Sequence, residues 1–238
     1  MSLIIHTILC NPNIMDNYSY IIVDEETQTS AVVDASEENA IINECEKLKI
    51  FPQYLLITHH HPDHTNANLA LKNKFNLKIV GSEIEKNKIE GIDITLNNSD
   101  KFKLGSSTAE IIISSGHTLG HILWYFKNDK VLFTGDVLFN MCIGGLFEGT
   151  PKQMWETIEI LKKLPDETRF YPGHEYLKSA IPYINMHTTV PEYKQYMDFI
   201  LKKQKNNEAF VGNTLGLEKK CNPFLKIDNL NDFEHFME

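Results

Sequence analysis

Residues 54–64 read Tyr54-Leu-Leu-Ile-Thr-His-His-His-Pro-Asp-His64, and the parsing of this stretch decides the fold. Tyr54 to Ile57 form a short apolar run of strand length. In an extended chain His59 and His61 point the same way and His60 points oppositely. Pro62 cannot continue a ladder, so the chain turns there and can bring Asp63 and His64 back over the same spot. Two imidazoles, a carboxylate and a third imidazole within six residues are a first-row metal-binding signal. The competing reading is a polar loop with chance histidines. An apolar strand feeding H-x-H-x-D-H leaves those groups no cheap structural role, so metal binding is the stronger expectation.

Outward from this loop, the chain alternates strands and helices. Residues 3–10, 18–24 and Thr29–Val33 read as strands. A helix follows with Ser36 as its expected N-cap and Ala40, Ile41, Cys45 and Leu48 on one face. After the histidine loop, a helix is expected from about Thr65 to Phe75. Lys78–Val80, Phe102–Leu104 and Ala109–Ser114 read as short strands, and Leu123–Phe126 with Lys130–Thr134 as a hairpin around Asn128-Asp129. Pro151–Leu164 is a helix with proline in its first turn and Met154, Ile158 and Leu161 inward. Arg169–Tyr171 is the last expected strand. From Leu177 onward the pattern is helical and lysine-rich. Strands in two batches, each followed by helices, suit two sheets packed face to face with helices outside.

Composition bounds the function. A net charge of −9 argues against a broad nucleic-acid-binding surface. No apolar run approaches the roughly 20 residues that span a bilayer. Met1-Ser-Leu-Ile-Ile-His6 lacks a basic segment followed by an apolar one, so no signal peptide and a cytoplasmic address are expected. Cys10, Cys45, Cys142 and Cys221 are scattered and read as reduced thiols.

Three further stretches repeat the grammar of strand, then turn, then ligand-type residue. They are Ser114-Ser-Gly-His117-Thr-Leu-Gly-His121, Leu132-Phe-Thr-Gly-Asp136 and Phe170-Tyr-Pro-Gly-His174-Glu-Tyr176. Alone, a Gly-Asp at a strand end is a turn and a histidine after Pro-Gly is a surface residue. With the first loop they supply ligands enough for two metal ions.

T-H-H-H-P-D-H, G-H-T-x-G-H, F-T-G-D and P-G-H-E-Y, in this order, resemble the metallo-β-lactamase-fold hydrolases, and within them the glyoxalase II (hydroxyacylglutathione hydrolase) branch. The resemblance runs from about Ile4 to Phe224 and includes Thr214-Leu-Gly-Leu-Glu218 and Asn222-Pro-Phe224. It implies an α+β four-layer αβ/βα sandwich of two mixed sheets with outer helices. Residues 1–176 would be the catalytic domain and 177–238 a helical, substrate-binding appendage. It implies that His59, His61 and His117 hold one divalent metal, that Asp63, His64 and His174 hold the other, and that Asp136 bridges them. The metals would be zinc, with iron or manganese as other candidates. His60 then has no ligand role and faces the opposite side, while His121 is either a support for the ligands or an ordinary structural residue. His6, His187 and His235 match nothing in the pattern.

The activity so implied is hydrolysis of a thioester, S-D-lactoylglutathione or a related S-acyl thiol. A water shared by two ions loses its proton near neutrality, the acyl carbonyl is polarised, and Asp63 relays a proton. No G-x-S-x-G nucleophile is present. Phe147, Tyr176 and Lys226 stand at the branch's substrate-contact positions, but with departures. The branch's basic residue before F-x-E-G-T is Gly145 here, a frequent tyrosine is Phe147, and an arginine is Lys226, which keeps the charge without the bidentate fork. The two glycines that follow H-x-H-x-D-H are Asn66 and Ala67, with Asn66 expected to tolerate a left-handed conformation. Rival readings are a hydrolase of another thioester, a lactone or a phosphoester, and a mononuclear iron persulfide dioxygenase. A non-catalytic zinc domain is disfavoured, because a structural zinc needs four closed ligands and no bridging carboxylate.

Overall fold

A computed structural model describes residues 3–12, 14–177, 181, 191–206, 211 and 213–237. The first sheet runs in the order β1 (Leu3–Cys10), β2 (Asn17–Asp24), β3 (Ser30–Val33), β4 (Tyr54–Leu56), β5 (Lys78–Ser82), β6 (Ile92–Leu96). Its first three strands are antiparallel, and β3 to β6 are parallel. The second sheet contains β7 (Lys101–Leu104), β8 (Ser107–Ile113), β9 (Ile122–Phe126), β10 (Val131–Gly135), β13 (Arg169–Pro172) and β14 (Asn213–Thr214), in the order β14-β13-β10-β9-β8-β7. The short β11 (Leu138–Phe139) and β12 (Cys142–Ile143) form a separate ribbon.

Strand alternation explains the layering. Tyr20, Ile22, Val33, Leu56 and Val80 from one sheet face Ile111, Trp124, Phe133 and Tyr171 from the other. The alternate residues Ile21, Val23, Val32, Leu55 and Ile79 turn outward and are covered by Ile41 and Cys45 of α1 (Glu38–Leu48) and Leu71 of α3 (Asn68–Phe75). Leu123, Tyr125, Leu132 and Phe170 likewise turn outward under Met154, Ile158 and Leu161 of α4 (Pro151–Lys163). Central strands are thus buried on both faces, which is why they read as continuous apolar runs. The expected four-layer sandwich of two mixed sheets with outer helices is the observed one.

The local differences have physical reasons. Ser36 does not cap α1; Glu37 occupies the cap with no side-chain bond to the helix, and Ser36 Oγ instead accepts from Asn11 Nδ2 at 3.0 Å. The expected helix from Thr65 is split into α2 (Pro62–Thr65) and α3. The break arises where Ala67 N donates to Ala35 O and Ala35 N donates to His64 O, pinning the turn to the end of β3. Asn66 is right-handed there (φ −54°), so the conformational reason expected for it does not apply. Four strands, β6, β11, β12 and β14, lie outside the expected set. Three of them have only two residues, too few to show a period. β14 corrects the expectation of a strandless tail: Thr214 and Asn213 pair with Arg169 and Phe170.

After β13, the described chain contains α5 (Pro191–Lys205), α6 (Leu215–Cys221) and α7 (Leu230–Met237). Leu215, Phe224 and Phe233 join the core beneath α4. His187 lies outside the described residues. All four cysteines are free thiols. Among the described residues, no helix is long and apolar enough to cross a membrane.

Candidate metal centre

The ligand-type residues converge on one edge of the sandwich, where β3, β4, β8, β10 and β13 end. The two sheets are stitched together at this edge. Trp124 Nε1 donates to Ile57 O at 3.3 Å, Ile122 N to Thr58 O at 2.9 Å, and Tyr20 Oη to Pro172 O at 2.6 Å. Loops from different strands are therefore held to one place by the core that separates them.

Possible donor atoms of His59, His61 and His117 lie within 4.8 Å of one another, as do those of Asp63, His64 and His174, and those of His59, His64 and Asp136. Asp136 stands between the groups. Its Oδ2 is 3.5 Å from His117 Nε2 and 3.3 Å from His174 Nε2, and its Oδ1 is 3.3 Å from His64 Nε2. Glycines make the approach possible. A Cβ on Gly173 would stand 2.3 Å from Asp136 Oδ1, and Gly135 turns the chain with φ +46°, where a Cβ would stand 2.5 Å from His121 Nε2.

Hydrogen bonds behind the rings decide which nitrogen faces inward. His117 Nδ1 donates to Gly145 O at 2.8 Å and His174 Nδ1 to Met15 O at 2.8 Å. His64 Nδ1 donates to Asp34 Oδ2 at 2.9 Å. Thr58 Oγ1 donates to Asp34 Oδ2 at 2.8 Å, so it accepts from His59 Nδ1 at 3.0 Å. In the neutral ring each of these Nε2 atoms is then a bare lone pair pointing into the site. His64 Nε2 faces His174 Nε2 at 3.1 Å, and His117 Nε2 faces His61 Nδ1 at 3.0 Å. Among the described residues, His59 Nε2 and Asp136 Oδ1 are buried with no hydrogen-bond partner. Lone pairs turned on one another repel unless a cation lies between them. Donors about 2.0–2.1 Å from a tetrahedral ion stand roughly 3.3 Å apart, close to the spacing seen here. The residues fit divalent metal.

The two halves differ in charge. Burial, above all, pushes His59 well below its ordinary pKa, lowers His117, and takes His61 down to about 4. Burial also opposes charging of His64 and His174, but Asp136, helped by Asp34 at His64 and Asp63 at His174, outweighs it. His64 is raised well above its ordinary range and His174 to about 9. Burial works against the Asp63 carboxylate too, yet hydrogen bonds from His174 and Asn17 and the charge of His64 hold it well below the usual range. The carboxylates thus draw positive charge to this half, as a proton or as a metal ion.

His121 supports the centre. Its Nε2 accepts from Asp136 N at 3.1 Å, which leaves its Nδ1 to donate to Ser114 Oγ at 2.7 Å, and its ring stacks 5.0 Å from His59. Asp34, Thr58 and Asn17 were not singled out from the sequence. Asp34 ends an apolar strand as Asp136 does, and that shared grammar was the available signal. Asp34 Oδ1 also accepts from Thr58 N at 2.8 Å, and Asn17 Nδ2 donates to Asp63 Oδ2 at 3.0 Å.

Of the expected substrate contacts, Phe147 is 71% exposed and its ring lies 5.1 Å from His61 and 5.0 Å from His117. Tyr176 stacks on His174 at 4.6 Å. Lys226 is exposed on the short turn Phe224–Lys226. Asn222 Nδ2, four residues earlier, donates to Cys142 O at 3.3 Å and ties that segment to the loop after Asp136. Lys219 is committed elsewhere, donating to Leu164 O and pairing with Asp166 Oδ1 at 2.7 Å.

Two sheets enclosing a cluster of inward imidazoles around a shared carboxylate define a metal-dependent hydrolase. Residues 16–174 match the metallo-beta-lactamase superfamily. The chain is 40% identical over 215 residues to the hydroxyacylglutathione hydrolase of Bartonella henselae, covering 90% of this chain and 85% of that protein. It is 40% identical over 227 residues to the hydroxyacylglutathione hydrolase of Chelativorans sp. strain BNC1, covering 95% and 88%. In fold it is similar to the crystal structure of ETHE1 from Myxococcus xanthus, with TM-score 0.76, 22% identity and coverage of 98% and 89%. The chain belongs to the metallo-beta-lactamase superfamily and, within it, to the hydroxyacylglutathione hydrolase family.

Proposed function

We propose that this enzyme hydrolyses S-D-lactoylglutathione, or a closely related S-acyl thiol, to the hydroxy acid and the free thiol. The observation that carries the reading is the set of imidazole lone pairs aimed at two adjacent points around Asp136. His59, His61 and His117 would hold one ion, Asp63, His64 and His174 the other, and Asp136 both. Three imidazoles beside a carboxylate suit zinc, while iron and manganese accept the same donors. Two divalent ions there would lower the pKa of a water and polarise the thioester carbonyl.

The chain's own residues do the rest. Asp63, whose side chain is 23% exposed, would take a proton from the attacking water and return it to the departing sulfur. Water oxygen bonds to the acyl carbon, the C–S bond breaks, and the thiol leaves with that proton. Phe147 and Tyr176 flank the two imidazole groups and would wall the substrate. Residues 177–238 would serve as a substrate-binding appendage to a 1–176 catalytic unit. The support is that Glu218 Oε2 accepts from Met141 N at 3.0 Å, joining α6 to the turn between β11 and β12 that follows Asp136. Lys226 would contribute positive charge there. Free cysteines fit a reducing, cytoplasmic setting.

Thiol release from S-D-lactoylglutathione tests the reading. Release should stop with a chelator and return with zinc, and metal analysis should find two ions per chain. No release from this substrate, with rapid cleavage of a thioester lacking glutathione's carboxylates, would overturn the assignment.

A further inference from the structure

His60 lies between two proposed ligands and faces the other way, into a second cluster. Its Nδ1 is 3.1 Å from Glu85 Oε2 and its Nε2 is 3.5 Å from Glu148 Oε1. The side chain of Glu85 is 1% exposed, and among the described residues neither its Oε2 nor His60 Nδ1 has an aligned hydrogen bond, so the two buried atoms have each other as close neighbours. The other oxygens of both carboxylates go to a single loop. Glu85 Oε1 accepts from Thr118 Oγ1 and from Gly120 N at 3.1 Å, and Glu148 Oε2 accepts from Leu119 N at 3.1 Å. Three consecutive residues after His117 are therefore held by two carboxylates that converge on His60.

The third side of the cluster closes on the same loop. Phe147 N and Glu148 N donate to His117 O at 3.2 and 3.3 Å, and His117 Nδ1 donates to Gly145 O. The three side chains could also be read as a cation site, since one donor from each lies within 4.8 Å of the others. The geometry disfavours that. The two nitrogens of His60 address different carboxylates, and Glu148 Oε1 already pairs with Lys88 Nζ at 2.5 Å. Positive charge is already supplied at this cluster by a residue of the chain.

We infer that His60 is a positioning residue: through Glu85 and Glu148 it locks the 117–120 loop to the 59–61 loop and sets His117 against His59 and His61. The arrangement separates two roles in one short stretch. His59 and His61 offer nitrogens inward, while the residue between them fixes from outside where the third nitrogen stands. The inference rests on the reading that these three imidazoles hold one metal ion. Loss of an outer partner of a ligand costs about 10–100-fold in metal affinity. Replacement of His60 should therefore weaken one ion and spare the other.

Cobalt(II) titration of the metal-free protein, followed by the visible absorbance of the bound ion, tests this. The wild type should take up two ions, and Asp63→Asn identifies the step that belongs to Asp63, His64 and His174. In His60→Ala the other step should weaken by about 10–100-fold, with the Asp63 step within twofold of wild type. His60→Gln, whose amide can reach one carboxylate, should recover part of the loss and serves as the informative variant if alanine does not fold. In the reconstituted enzyme kcat should fall with KM unchanged. Wild-type constants for both steps in either folded variant would overturn the inference, as would equal weakening of both steps. If the wild type itself binds fewer than two ions, the metal assignment fails and the positioning role falls with it.

Discussion

His59, His64, His117 and His174 each have an oxygen behind Nδ1 that fixes the ring, whereas Phe147 on the rim is 71% exposed and Gly145 beside it offers no side chain. The floor of the site is over-determined and the rim is sparse. The difference separates two kinds of free energy. On the proposed reading, floor groups would act on the reacting atoms, so their loss should lower kcat. Rim groups would bind substrate and transition state alike, so their loss should move KM.

The largest effect is expected at Asp136, which touches both halves. Asp136→Ala should bring metal below two ions per chain and abolish hydrolysis. A folded variant that keeps both ions and near-full rate would remove Asp136 from the floor. Next comes Asp34, which holds His64 Nδ1 and both polar groups of Thr58 without reaching substrate. Asp34→Ala should weaken metal binding by about 10–100-fold in chelator competition, with KM little changed. A change confined to KM would mean that the floor extends no further than its ligands.

Glu218 ties α5, α6 and β14 to the turn between β11 and β12. Buried, it accepts from Met141 N, Asn222 Nδ2, Tyr196 Oη and Asn213 Nδ2 at 3.0, 2.9, 3.0 and 3.1 Å. Burial is the main reason its pKa rises to about 7, against the lowering effect of these bonds. A carboxyl raised on folding contributes stability that is fully present below its unfolded pKa of 4.5 and is lost as pH rises through about 7. Wild-type Tm should therefore carry a falling component between those values, and Glu218→Gln should flatten it. Glu218→Ala strands several buried donors, each worth about 1–3 kcal/mol, and should lower Tm by several degrees at all pH values. An unchanged Tm would detach the late helices from the site.

The floor was legible in the sequence because metal donors are few residue types and each followed an apolar strand. His59, His61, Asp63, His64, His117, Asp136 and His174 converge as that grammar implied, though strands far apart in the chain carry them. The supports were less legible. Asp34, Asn17 and Thr58 are common residues whose role depends on what folds against them, and Glu85 and Glu148 are distant from each other and from His60 in sequence. The layers could be read from apolar runs because both faces of the central strands are covered. The two-residue strands could not, since pairing with β13 alone makes Asn213–Thr214 a strand. The pairing of Lys219 with Asp166 was equally hidden, because the two lie 53 residues apart.

The smallest effect tests the rim itself. An anionic glutathione conjugate approaching a chain of net charge −9 needs local positive charge, and Lys219 is already paired. That leaves Lys226 and the nearby Lys220, with an empty basic position at Gly145. The position has room: a Cβ there meets only Phe147 Cε2, at an ordinary 3.6 Å, and no positive φ stands in the way. One charged hydrogen bond in a partly exposed site is worth on the order of 1–3 kcal/mol, or about one to two decades in affinity. Gly145→Lys should thus lower KM for S-D-lactoylglutathione by about tenfold and leave kcat nearly unchanged, as restored uniform binding does. Lys226→Ala should raise KM by a smaller factor, because an exposed ammonium loses part of its worth to solvent. If Gly145→Lys changes kcat instead, the shift has passed through Gly145 O to His117, and rim and floor are one unit. If neither substitution moves KM, the carrier thiol is not one whose carboxylates the rim reads.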